Sequence, residues 1–295
     1  MALKIRDAGT WKTLQAPHVK DSDTWKKCHL IYVKDGDTWK EAHRNTISQY
    51  SSDGGTTYSS GTSTYTVAQG VRFLRFLIKG GSGGGAGSMA MSYNFYVNQA
   101  DGIRIDKFAK TGGTGGPGAS IDVTMEVIPG EEYSLTVGGA GSAGGGNGIR
   151  ARKAYSGNQA SFSGDTSSTY YSSAGSVGGN SQVTGPRSIN FRAGGGNGGG
   201  QASAYVAFYW YTSGDEFGYR ANAYGSDGST GGNQTGNLIA TGTDASGATI
   251  TDGTYTYNST GGPSGGSGGS GYSGDVSGSS GSAGTAGSII MYKYT

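Results

Sequence analysis

The last glycine tract of this chain runs in threes. Gly262, Gly265, Gly268, Gly271 and Gly274 stand three residues apart, and after a slip of one residue Gly278, Gly281, Gly284 and Gly287 do so again. A period of three matches a polyproline-II-type helix, which has three residues per turn and ~3.1 Å rise. Collagen would require abundant proline, and the chain has five. The reading that remains is polyglycine-II helices packed side by side. Missing Cβ atoms let the backbones approach, and N–H and C=O groups bond between neighbouring segments rather than within one. Glycine makes up 60 of the 295 residues, about a fifth, against roughly 7% in average proteins. Tracts at 80–87, 112–118, 138–148 and 194–200 supply partners. Twenty tyrosines argue against disorder.

Strands feed these tracts. In Ile121–Gly148, Ile121, Val123, Met125 and Val127 alternate with polar residues, and Tyr133, Leu135 and Val137 alternate again after Pro129-Gly130. Period-two alternation marks strands with one buried face, and Pro-Gly marks a turn, so this stretch is expected to be a hairpin. Tyr65 and Val67 lead through Gln69-Gly70 into Val71–Lys79, which is apolar on both faces and reads as a strand covered on both sides.

The N-terminus carries a different repeat. IRDAGTWKTLQAPH, VKDSDTWKKCHLIY and VKDGDTWKEAHRNT align without gaps, and Trp11, Trp25 and Trp39 are spaced by 14 residues. Each unit is predicted to be a strand, a turn from Asp to Thr (Asp7–Thr10, Asp21–Thr24, Asp35–Thr38) and a second strand beginning near Trp-Lys. Asp side chains close such turns on their own backbone. About forty residues cannot build an independent core of any depth. The tryptophans are therefore expected to serve oligomerisation or attachment, with copies from neighbouring chains completing the array. The expected organisation is 1–46 repeats, 47–64 a polar junction, and 65–295 a glycine-rich domain. The fold class is all-β: a small repeat array followed by short strands and packed polyglycine-II helices.

Tyr65–Gly87, Ile121–Gly148 and the closing AGSIIMYKYT around Gly284–Tyr294 resemble the glycine-rich domain of phage tail-fibre proteins. The plan is also similar to that of the glycine-rich adhesins at the tips of T-even-type long tail fibres. The N-terminal units resemble short Gly-Thr-Trp-Lys repeats of phage structural proteins. These resemblances imply a receptor-binding virion protein, assembled in the host cytoplasm and carried on the tail. They also imply partners among other virion tail proteins through the N-terminal repeats, a host glycan or outer-membrane protein as ligand, and a homotrimer.

Loops on a rigid scaffold are where binding residues tend to sit. The segment after residue 201 is the richest in rigid aromatics, the preferred anchors of binding surfaces. Tyr209, Trp210, Tyr211, Phe217, Tyr219 and Tyr224, with Asp215 and Arg220 among them, are the candidate receptor-contact residues. An alternative places Val206, Phe208 and Trp210 in a core strand.

Other functions fit less well. The net charge is +2, with 9 − 6 = +3 in residues 1–46 and 13 − 14 = −1 in the rest, so no basic patch for nucleic acid is indicated. No histidine follows His43, Asp215 and Glu216 are adjacent, and no glycine run ends in Gly-Lys-Ser/Thr. Neither catalysis nor a cofactor or metal is expected. Cys28 is the only cysteine, which excludes an intrachain disulfide and suits assembly in a reducing compartment. The start of the chain has no apolar run of the secretory type. A virion fibre or decoration protein without a receptor role is the second reading, and a polyglycine-II ice-binding protein a remote third.

Overall fold

The computed structural model describes residues 4–7, 10–13, 18–21, 24–27, 30–35, 37–44, 51–96, 103–152, 167–213, 216–232, 238–251, 256–258, 266–267, 269 and 277–295. They form two compact units, Met1–Asp53 with Tyr294–Thr295, and Gly54–Lys293. No α-helix occurs among the described residues, and the fold is all-β.

The small unit holds three antiparallel hairpins. They pair β1 (Lys4–Asp7) with β2 (Thr10–Thr13), β3 (His18–Asp21) with β4 (Thr24–Lys27), and β5 (Leu30–Asp35) with β6 (Thr38–Arg44). The innermost pairs are Asp7–Thr10, Asp21–Thr24 and Asp35–Thr38, as the Asp-to-Thr spacing predicts. Trp11, Trp25 and Trp39 occupy one equivalent register position, opposite Arg6, Lys20 and Lys34.

The large unit begins with β7 (Thr56–Tyr58), β8 (Gly61–Thr66) and β9 (Phe73–Lys79). The chain then alternates between strands and glycine segments. PG1 (80–88) leads to β10 (Met89–Tyr96), and β11 (Ile103–Lys110) returns through PG2 (111–119) to β12 (Ser120–Glu126). β13 (Glu132–Val137) enters PG3 (138–146) and β14 (Asn147–Arg152). β15 (Ser167–Tyr171) returns through PG4 (172–180) to β16 (Ser181–Thr184). β17 (Asn190–Ala193), PG5 (194–202) and β18 (Ser203–Ser213) go out. β19 (Glu216–Ser226) and PG6 (227–232) come back to β20 (Ile239–Thr243) and β21 (Thr249–Ile250). β22 (Thr256–Asn258) precedes PG7 (266, 267 and 269), and PG8 (277–287) delivers the chain to β23 (Ser288–Tyr294).

PG1 is the hub. Its amides at 80, 83 and 86 donate to PG2, those at 81, 84 and 87 to PG4, and those at 82, 85 and 88 to PG8. Its carbonyls accept from PG3 at 82 and 85, from PG5 at 81 and 84, and from PG7 at 83 and 86. Six helices thus surround one, bonded in the order PG2, PG5, PG4, PG3, PG8, PG7 and back to PG2. The donated bonds go to antiparallel neighbours and the accepted ones come from parallel neighbours. Every residue from 80 to 88 is buried. Three residues per turn places every third amide in one direction, so a threefold helix can serve several neighbours at once. The exclusion of side chains follows. A Cβ on Gly83, Gly84 or Gly85 would overlap the carbonyl of Asn197, Ser142 or Ser267 respectively.

The second run of the last tract keeps the frame that the spacing predicts. Gly278, Gly281, Gly284 and Gly287 face the carbonyls of Ser88, Gly85, Ser82 and Lys79. Just before them, the bonded glycines are Gly266 and Gly269, whereas Gly262, Gly265, Gly268, Gly271 and Gly274 lie outside the described residues. PG4 and PG6 are glycine helices that lie outside the tracts marked in the sequence. Only inward positions of an outer helix must be glycine: in PG4 Gly175 and Gly178 meet PG1 backbone, while Val177 is 52% exposed.

At one end of the bundle lies a β-sandwich. Its sheets have the orders β22-β12-β9-β23-β7 and β21-β20-β17-β16-β13-β8. Leu74, Phe76, Ile78, Ile121, Val123, Tyr133, Leu135 and Phe191 fill the space between them. Phe76 meets Tyr133 and Phe191 at 6.1 and 6.3 Å.

Three expectations change here. The stretch from Ile121 to Val137 is an arch, not a hairpin: β12 pairs with β9 in one sheet, and β13 with β8 in the other. Alternation says only that each strand buries one face, and two strands facing each other across a core satisfy it as well as two side by side. The β8–β9 link is a second arch. The two are joined by bonds from Val67 N to Glu131 O (2.8 Å) and Gly130 N to Val67 O (2.8 Å). Next, the large unit begins at Gly54 rather than 65, with β7 and the first four residues of β8 inside the expected junction. Both are sheet-edge strands with mostly exposed side chains, so their composition is that of a loop. Last, β9 is fully buried on one face only. Phe73, Arg75 and Leu77 are half-buried, and Arg75 pairs with Asp122 (Nε–Oδ1 2.8 Å) beside the Tyr292 ring.

A polar staple closes the sandwich. Arg187 forms an ion pair with Glu131 and donates Nε–H to the Thr243 carbonyl (2.9 Å), while Tyr133 donates its hydroxyl to Glu131 (2.9 Å). Burial, and secondarily the charge of Asp244, push the Tyr133 phenol well above its usual range, so it stays a donor. Arg187 and Ser188 hold φ of 55° and 60°, a left-handed turn that costs non-glycine residues on the order of 1–3 kcal/mol each.

Two predictions arise. Gly84→Ala should cost about 1–3 kcal/mol by overpacking. Gly139→Ala, where nothing lies within 4 Å of the added Cβ, should change stability by less than about 0.5 kcal/mol. Chemical denaturation of both variants checks the contrast. Arg187→Ala should lose roughly 1–3 kcal/mol, because Glu131 is left in a site only 11% exposed without its cation. Thermal melting of this variant should show a lowered midpoint.

Candidate functional site

The other end of the bundle carries the hairpins. PG1 is nine residues long, so the strands it joins are separated by about 28 Å at ~3.1 Å per residue. There β11-β10-β14 form one three-stranded sheet and β15-β18-β19 another. Met89, Met91, Ala204, Val206 and Phe208 form the buried cluster between them, with Tyr93, Phe108, Ile149 and Tyr170 at its margin.

The root of the β18–β19 hairpin is held by glycine helices. PG5 leads into β18 and PG6 leaves β19, and Gly200 N donates to Ser229 O (2.7 Å). Asp227 accepts from Thr111 N (2.7 Å), which fixes the exit of β19 against the start of PG2. Ser203 and Ser226 share a hydroxyl bond of 2.9 Å across the first strand pair. Eleven registered pairs follow, from Ser203–Ser226 to Ser213–Glu216.

The inner row of β18 is Ala204, Val206 and Phe208, all buried. The opposite row contains Ser203, Tyr205 and Ala207, paired with Ser226, Tyr224 and Asn222. Tyr205 and Tyr224 lie ring against ring at 4.6 Å with a 32° tilt. Tyr224 is 59% exposed, and Tyr171 on β15 is 51% exposed.

Of the candidate residues, the structure brings seven onto one hairpin. Tyr209 pairs with Arg220, Trp210 with Tyr219, Tyr211 with Gly218 and Thr212 with Phe217, and Tyr224 stands nearer the root. Asp215 lies outside the described residues. The core-strand alternative holds for Val206 and Phe208. Trp11, Trp25 and Trp39 belong to the small unit. Tyr171 was not singled out from the sequence. Its signal was the Tyr170-Tyr171 pair in a strand, where one ring must face in and the other out. Among the described residues, no group of three or more His, Cys, Asp and Glu side chains is placed to hold a metal ion.

The chain matches no protein-family model, and no curated protein matches its sequence.

Proposed function

We propose that this chain is a receptor-binding protein of a phage tail fibre, without catalytic activity or cofactor, that attaches the virion to the host cell surface. The observation that carries the reading is the placement of the aromatic β18–β19 hairpin on a glycine-helix bundle, at the end opposite the sandwich. Such a stem holds binding residues at fixed positions while contributing little side-chain chemistry itself. The resemblance to glycine-rich tail-fibre adhesins supports the same role. The small unit mounts the chain on other tail proteins and trimerises it. Each of its hairpins is a separate two-stranded sheet, and such hairpins are marginal alone. Their edges are therefore suited to copies from neighbouring chains.

The adhesin role is tested by adsorption of the purified chain to a panel of bacterial strains. Wild type should bind at least one strain. The triple variant Tyr211→Ala, Phe217→Ala, Tyr219→Ala should abolish binding with an unchanged melting profile, since anchor aromatics often carry ~2 kcal/mol or more each. Failure of wild type to bind any strain, or full binding by the triple variant, counts against the reading. For the small unit, light scattering should give a trimer for the whole chain and a monomer after deletion of residues 1–53. A monomeric whole chain would refute the oligomerisation role.

A further inference from the structure

We infer that the outer face of the β15-β18-β19 sheet is a platform for a neutral glycan, with Tyr171 and Tyr224 as its stacking rings. This names a ligand class for the adhesin reading and rests on it for the biological setting. Its residues differ from the outer-hairpin aromatics Tyr211, Phe217 and Tyr219.

The inner face of this sheet is occupied by the core between the two distal sheets, and the outer face carries rings with no core behind them. Tyr171 at 51% and Tyr224 at 59% exposure leave about half of each side chain open to a ligand. They stand on the two strands flanking β18 in adjacent rows, Tyr171 opposite Ser203 and Tyr224 opposite Tyr205, so two strand steps and a two-residue shift separate them by about 12 Å at the usual spacings. That distance is comparable to a disaccharide. Tyr205 lies between them in the sheet and packs on Tyr224, which restricts that ring before any ligand arrives.

The polar groups around the rings are hydroxyls and an amide. Ser203 and Ser226 form one hydroxyl pair, and Asn222 is exposed two residues from Tyr224. No charged residue occupies the rows of this face that hold the rings and their neighbours, Thr169 and Ala207 included, and Arg220 and Glu216 fall two and four rows of pairs beyond Tyr224 along β19. An aromatic face carries negative charge density and attracts the polarised C–H groups of a sugar ring. Hydroxyls and amides both donate and accept, as sugar hydroxyls require. An acidic polysaccharide or a phosphorylated headgroup would need cations beside the rings, and the rows that hold Tyr171, Tyr205 and Tyr224 carry none. A second copy of the chain would favour a drier patch than one lined by serine, threonine and asparagine.

The test uses the full chain and two readouts. Saturation-transfer NMR with maltohexaose and chitohexaose should show transfer to sugar C–H protons for at least one of them. Tyr171→Ala/Tyr224→Ala should weaken that binding about tenfold or more with an unchanged melting point, and Tyr171→Trp/Tyr224→Trp should retain it. In the second readout, cells that bind the chain are treated with mild periodate, which cleaves vicinal diols. Loss of adsorption after periodate and in the double alanine variant supports the platform. No transfer from either sugar, or adsorption that survives both treatments, overturns the platform and leaves the adhesin reading standing. Absence of adsorption to every strain overturns the adhesin reading, while the NMR result still decides the platform. A fall in oligomer size in the double alanine variant would assign the face to self-association and would also overturn the proposal.

Discussion

The glycines of PG1, where no side chain can be placed, are the constraint on which the large unit depends. Nine consecutive amides of PG1 donate in three directions to PG2, PG4 and PG8, and six helices enclose it. That geometry exists only where carbonyls of neighbours stand where Cβ atoms would be. Ser82, Ala86 and Ser88 are the side chains PG1 admits, and the two serine hydroxyls lie against the backbones of Thr285 and Ser279, whose amides they accept (2.7 and 2.8 Å).

Such a bundle does not stabilise itself by a wide margin. Ordering each glycine costs roughly 1–2 kcal/mol of backbone entropy, and each exchanged hydrogen bond returns about 0.5–1.5 kcal/mol net. The apolar cores tip the balance. The sandwich buries Phe76, Tyr133, Phe191 and their neighbours at one end, and the methionine-lined cluster closes the other. The strands of both ends are continuous with the glycine helices, so fixing the ends brings the helices into register.

This division of labour separates stability from recognition. In the sandwich and bundle, polar groups such as the Arg187–Glu131 pair and the backbone of PG1 are bonded internally. Among the described residues, the exposed rings of the large unit, Tyr171 and Tyr224, lie on a distal sheet beside the Ser203–Ser226 hydroxyl pair. A helix that bonds in several directions is a stiff support for such a surface, and the hairpin it carries is held at its root by Gly200 and Asp227.

Much of this was legible in the order of residues. The period of three announced packed threefold helices, because only glycine tolerates a backbone at the position of its missing side chain. The fourteen-residue spacing announced the three N-terminal hairpins, because an Asp-to-Thr turn closes locally. Local signals of that kind act within a few residues and need no partner to be read. Partner choice was not legible. Alternation in Ile121–Val137 is the same for a hairpin and for an arch across a core, so only the packing of β12 on β9 and of β13 on β8 decided it. PG4 and PG6 were hidden because an outer helix needs glycine on one side alone, and which side is inner depends on its neighbours. Tyr171 became a surface residue only when Tyr170 packed against the margin of the cluster that holds Val206 and Phe208. The sequence by itself determined which segments extend, turn or lose their side chains, since those properties are local. Tertiary structure decided which of them meet and which faces stay in water, since burial belongs to pairs of segments and not to either one alone.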